Sequence, residues 1–148
     1  MSLSGGNVAI ICAQPIARAG LEQLVRECPG LLITTSIRTS EELFQSELDD
    51  ACRVIVVDLP TVGPHQAAAE LIGKLATIGD PVVVVPWPEP PTPLAAIRAG
   101  ARGVISRYTE AAEVRRAIST VNDGGISVAP ELSARLWDEL GLPTAAMS

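Results

Sequence analysis

Short β-branched runs alternate with stretches of helical periodicity along most of the chain. Val8-Ala9-Ile10-Ile11 predicts a first strand, and Pro15 suits the first position of the helix that follows. Leu21, Leu24 and Val25 share one face of that helix, which Pro29-Gly30 ends. Leu31–Thr35 predicts a second strand, and Ser40, with Glu41 and Glu42 after it, predicts a capped helix. Val54-Ile55-Val56-Val57 is apolar on both faces and stops at Asp58. Gln66–Ile78 predicts a helix closed by Gly79, and Val82–Val85 a fourth strand. Pro86 to Pro93 holds five prolines and predicts extended loop. Leu94–Ala99 reads as a short helix with Gly100 at its end, and Val104-Ile105 as a short fifth strand. Thr109–Asn122 reads as a helix capped by Thr109, with Val114, Ala117, Ile118 and Val121 facing inward. Pro130–Leu140 reads as one further helix.

Five strands alternating with five helices predict an α/β fold, a parallel sheet covered by helices on both faces. Residues 1–6 read as a disordered start or an expression scar and 7–126 as the α/β domain. Residues 127–148 read as a C-terminal helix and the start of a linker. No internal repeat is visible.

Composition narrows the function. The 148 residues are 47% hydrophobic and 19% charged, a balance that supports a folded core. The net charge of −6 argues against this piece contacting nucleic acid or an anionic membrane by itself, since both need a basic footprint. No apolar run has the length of a membrane span, and the start lacks the features of a signal peptide. The cytoplasm is the expected compartment. Cys12, Cys28 and Cys52 read as free thiols, and their spacing with a single histidine, His65, does not suit zinc.

In an open parallel α/β sheet, ligand sites lie beyond the carboxyl ends of the strands. The positions to inspect are therefore Cys12-Ala13, Asp58, Pro86 and Ser106-Arg107. Only Asp58 brings a carboxylate to the end of a central strand. Its plain alternative is an aspartate that opens a loop.

Several segments carry a specific resemblance. Gln14-Pro15-Ile16-Ala17-Arg18-Ala19-Gly20-Leu21 resembles the first-helix signature of NarL/FixJ (LuxR-type) response regulators. Val54-Ile55-Val56-Val57-Asp58-Leu59 resembles their phosphoacceptor strand. Ala99-Gly100-Ala101-Arg102-Gly103-Val104-Ile105-Ser106-Arg107 resembles the segment that leads to their site lysine. Ala117-Ile118, then Gly124-Gly125 and Ser127-Val128-Ala129-Pro130, match the end of their receiver domain. The intervals agree as well: 46 residues from Cys12 to Asp58, 28 on to Pro86 and 21 on to Arg107. The resemblance spans about residues 7–136. It implies a flavodoxin-like (CheY-like), doubly wound five-stranded parallel sheet of order 2-1-3-4-5, here with an extra C-terminal helix.

It also implies phosphotransfer from a histidine kinase to Asp58. That chemistry needs an acidic pair after the first strand to hold Mg²⁺, a lysine on the phosphate, a reporting hydroxyl and a following aromatic. This chain departs at each supporting position. Cys12 and Ala13 stand for the acidic pair, Pro86 for the hydroxyl residue, Arg107 for the lysine and Val104 for the aromatic. After Asp58, Leu59-Pro60-Thr61-Val62-Gly63-Pro64 keeps the glycine of the usual loop and moves the proline. The expectation is a degenerate receiver, not an enzyme, with no cofactor, no structural metal and weak or absent Mg²⁺ binding. Arg107 is expected to form a static ion pair with Asp58.

Five of the 11 basic residues lie between Arg98 and Arg116. Arg98, Arg102, Glu110, Glu113, Arg115 and Arg116 are candidates for a self-complementary homodimer surface. Their plain reading is a solvated face. Trp87 reads either as an exposed contact or as a lid over the site. The implied role is phosphorylation-independent control of transcription by protein–protein contact, with a histidine kinase or another regulatory protein as partner. DNA would be reached only through a helix-turn-helix beyond Ser148. Two alternatives stand beside it: a receiver that senses a small molecule in the vacated site, and a receiver still phosphorylated on Asp58. A hydrolase or nucleotide-binding enzyme is disfavoured by the lack of a glycine-rich loop after the first strand.

Overall fold

The central β-branched runs are apolar on both faces, and each run is followed by a helix that crosses back over the sheet, so the strands pair in parallel. The computed structural model describes residues 6–45, 53–59, 65–86 and 88–141, without the side chains of residues 44, 45, 65 and 66. Cys52, Trp87, the loop 60–64 and both chain ends therefore lie outside the described residues.

The elements in order are β1 (Gly6–Ile11), α1 (Pro15–Arg26), β2 (Leu31–Ile37), α2 (Ser40–Gln45), β3 (Val54–Asp58) and α3 (His65–Ala76). They continue as β4 (Asp80–Val85), α4 (Pro93–Ala99), β5 (Gly103–Ser106), α5 (Ala111–Asn122), β6 (Ser127–Val128) and α6 (Pro130–Glu139). The sheet runs β2-β1-β3-β4-β5-β6 and is parallel throughout. The α/β receiver fold and the order of the first five strands match the sequence expectation.

The five-stranded count needs one correction, because β6 adds a sixth strand on the outer edge of β5. Gly103 pairs with Ser127 and Val104 with Val128, while the amides of Ser127 and Ala129 donate to the carbonyls of Arg102 and Val104. Two residues are too few for alternation to reveal a strand.

The centre of the sheet forms the core. Val8–Ile10, Val54–Val56, Val82 and Val83 are fully buried. α1 packs on α5 over one face, and α3 packs on α4 over the other. Gly100 closes α4 at φ +127°, a region that disfavours side chains, and a Cβ there would lie 2.9 Å from the Ala76 Cβ of α3. At the far end of the helical pair, Arg115 of α5 donates to Glu27 at the end of α1 across 2.7 Å. Both side chains are well exposed, so this clasp contributes well under about 1 kcal/mol.

α6 belongs to the same packed body. It rests on α4 and β5, with Leu132 fully buried. Burying a leucine of this kind stabilises by about 1.5–3 kcal/mol. A polar latch fixes its first turn. The Ser106 hydroxyl donates to Glu131 Oε2 at 2.8 Å, and the Thr109 hydroxyl donates to the same oxygen. Thr109 Oγ1 also accepts the Ser106 amide at 2.8 Å. This corrects the expected helix cap: α5 starts at Ala111 after Glu110, because the Thr109 hydroxyl is engaged by the end of β5 and by α6.

Burial of the Glu131 carboxyl favours its neutral form. Hydrogen bonds from Thr109, its own backbone and Ser106 outweigh that effect and hold the group below the ordinary glutamate value of 4.5. A lowered folded-state pKa stabilises the fold above the unfolded value and loses that stabilisation as pH falls through the folded one. Wild-type stability should therefore fall in the acid range by a larger step than that of Glu131→Gln. The difference should be under about 1 kcal/mol, since the carboxyl is partly solvated. Urea unfolding from pH 7 to pH 3 measures it; identical pH profiles would show that the latch carries no energy.

Candidate functional site

The carboxyl ends of β1, β3 and β5 converge on one point. β3 delivers Asp58, whose Cα partner in the ladder is Val84 of β4. β1 ends at Ile11, and the Cys12 amide donates to the carbonyl of Ile37, which continues the β1–β2 ladder by one residue and holds Cys12 at the end of β1. β5 ends at Ser106 and places Arg107 above the same carboxylate.

Arg107 Nη2 lies 3.4 Å from Asp58 Oδ2 and 3.5 Å from Oδ1. One nitrogen spans both oxygens, so this is an ion pair without the two-pronged fork of the strongest guanidinium–carboxylate contacts. The Asp58 side chain is 8% exposed and that of Arg107 41%. The guanidinium thus covers the acid and remains wet itself. The Cys12 thiol lies on the same Asp58 oxygen at 3.6 Å and is also 3.6 Å from the Gln14 carbonyl.

Burial pushes the Cys12 thiol up from its ordinary value. A backbone hydrogen bond at Gln14 opposes this, and the Asp58 carboxylate adds to the rise. At neutral pH the group is a thiol that donates a hydrogen bond, not a thiolate nucleophile. Arg18 of α1 reaches back to the Cys12 carbonyl at 3.5 Å.

The other expected positions are built for rigidity. Pro86 is buried, with no side-chain donor, and its carbonyl accepts the Glu89 amide at 2.7 Å. Val104 is fully buried, paired with Val83 on one side and Val128 on the other. Ala13 brings no polar side-chain atom.

A receiver's Mg²⁺ needs a shell of hard oxygen ligands. The residues at the end of β1 do not fit it: one is a neutral thiol, the other an alanine, and the remaining carboxylate faces a guanidinium. Among the described residues no group of three or more His, Cys, Asp or Glu side chains is placed to hold a metal.

Two cavities flank the ion pair and share Gln14, Asp58 and Arg107 in their walls. One, of about 300 Å³, opens between α1 and α5 and is lined mainly by apolar side chains such as Leu21, Leu24 and Val114. The other, of about 380 Å³, lies toward α2 and includes Arg38 and Ser40.

The six candidate interface residues are spread over α4, its exit and α5. Arg98 and Arg102 are exposed, Arg115 turns to Glu27, and Arg116 pairs with Glu113 at 3.8 Å. Arg38 and Glu131 were not singled out from sequence. A first-turn glutamate gives no local sign that it will fasten a strand end 25 residues earlier.

No family model matches the chain. It is 26% identical over 130 residues to the transcriptional regulatory protein UhpA of Salmonella typhimurium, covering 88% of this chain. That match covers 65% of UhpA, so the chain spans less than two thirds of that relative's length. A two-component response regulator of the LuxR family from Aurantimonas superposes with a TM-score of 0.72 at 21% identity, covering 92% of this chain and 98% of that one. The isolated REC domain of RcsB from Salmonella enterica, solved with the phosphomimetic BeF3⁻, gives 0.74 at 15% identity, covering 88% and 97%. Strand order, the aspartate at the end of β3 and these likenesses agree: the chain is similar in sequence to transcriptional response regulators and has the fold of their receiver domains.

Proposed function

We propose that this receiver regulates transcription by protein contact without phosphorylation of Asp58. The observation that carries the reading is the ion pair on the acceptor carboxylate. An incoming phosphoryl group would meet the Arg107 guanidinium, 3.4 Å from Asp58, and at the end of β1 a thiol and an alanine instead of carboxylates able to hold a charge-neutralising cation. Pro86 and Val104 supply neither the hydroxyl nor the ring that a phosphate-driven switch would move. A switch needs two arrangements whose balance its input can change. The phosphate-driven switch is thus absent, and the receiver is presented to a regulatory protein or to a histidine kinase that docks without transferring phosphate. DNA is contacted only through a further domain of the parent protein.

Intact mass after incubation with acetyl phosphate and Mg²⁺ tests this. The expected result is an unmodified chain. A phosphoryl adduct that disappears in Asp58→Asn would overturn the reading.

Self-association belongs to the same proposal. Arg98 and Arg102 are exposed and in no ion pair among the described residues, while Glu110 stands exposed ahead of α5. A two-fold interface is self-complementary, which opposite charges on one surface allow. Sedimentation should show a dimer without phosphorylation, weakened by joint reversal of Arg98→Glu and Arg102→Glu. A monomer at high micromolar concentration would remove this part.

A further inference from the structure

We propose that the cavity between β1, β3 and α2 binds a small organic anion, a carboxylate or phosphate ester with a short apolar body. The position that would hold a metal cation in a phosphorylated receiver is here reversed in charge. Two guanidinium groups, Arg38 and Arg107, line the cavity against the single carboxylate of Asp58. That carboxylate is 8% exposed beneath Arg107 and also receives the Cys12 thiol. The guanidinium, not the acid, therefore faces the opening. Arg38 is exposed and has no ion pair among the described residues.

A local excess of positive charge in a chain of net charge −6 favours anions at this site. The nearby Glu42 carboxylate receives the Thr39 hydroxyl at 3.4 Å and is not part of the wall. The Ser40 side chain offers a further donor at the rim. Ile11, Ala13, Val57 and Leu71 add an apolar part to a wall that also holds Gln14 and Thr39, and about 380 Å³ suits a small molecule. An anion bridging Arg38 and Arg107 would compete with Asp58 for Arg107, and so would act on the residue that follows the end of β5. This supplies the proposed phosphate-free receiver with an input, and it rests on reading Asp58 as a static partner of Arg107.

Amide chemical-shift titration of the chain with phenyl phosphate, inorganic phosphate and sodium chloride at matched ionic strength tests the site. Phenyl phosphate should saturate shifts at Ala13, Arg38, Ser40 and Arg107, and should bind more tightly than inorganic phosphate. Arg38→Ala, on an exposed side chain that leaves the fold untouched, should weaken it about fivefold, the size of one exposed charge contact. Asp58→Asn should tighten it, because Arg107 loses its competing partner. Shifts reproduced by chloride alone, or an affinity indifferent to Arg38→Ala, would overturn the site. The two readings fail separately. Acetyl phosphate labelling of Asp58 would end the phosphate-free reading, whereas the anion site stands or falls on its dependence on Arg38.

Discussion

The ion pair between Asp58 and Arg107 is the constraint around which this end of the molecule is arranged. A carboxylate at the end of a central parallel strand is forced to the edge of an apolar core, where losing water is costly unless a partner compensates. Here the partners come from either side of β3. The thiol of Cys12 arrives from the end of β1, and the guanidinium of Arg107 from the end of β5. Removing either charge alone leaves the other with a lost partner. The larger penalty falls on losing Arg107, because Asp58 is the more deeply buried of the two. An acid held this way is a structural element before it is a chemical one.

The same strand end fastens the C-terminal part of the fold. Ser106, next to Arg107, donates to Glu131, and the Ser106 amide is bound by Thr109, which donates to that same carboxylate. β6 closes the outer edge of β5, so Val104 is flanked by strands on both sides. The loop that carries Arg107 is therefore fixed from below by the sheet and from the side by α6. Whatever alters the partner of Arg107 acts on a loop tied directly to the last helix described. That is a short mechanical route from the site toward whatever follows the receiver, and it uses no hydroxyl on β4 and no aromatic on β5.

Much of this was legible in the sequence, for identifiable reasons. The runs at Val54–Val57 and Val82–Val85 are apolar on both faces, and such runs have few homes outside a doubly covered parallel sheet. Strand-end logic then singled out Asp58, and the resemblance, which puts Arg107 at the site-lysine position, implied their pairing, which the structure places at 3.4 Å. β6 was not legible, because two residues show no period and its pairing depends on α5 returning the chain to β5. Thr109 was misread as a cap because a threonine before a helix has two equally local uses, and only the position of Glu131 decides between them. Arg38 carries no pattern of its own. Its relevance arises from the cavity that the small Ala13 leaves beside Asp58.

The central claim is that Asp58 and Arg107 form an energetically real pair and not a chance proximity. A double-mutant cycle of Asp58→Ala and Arg107→Ala, read by urea unfolding at neutral pH and low salt, measures this directly. With Arg107 partly in water, the pair should show a coupling of about 0.5–1 kcal/mol, the double substitution costing less than the sum of the two single ones. Strict additivity, within about 0.3 kcal/mol, would contradict the account.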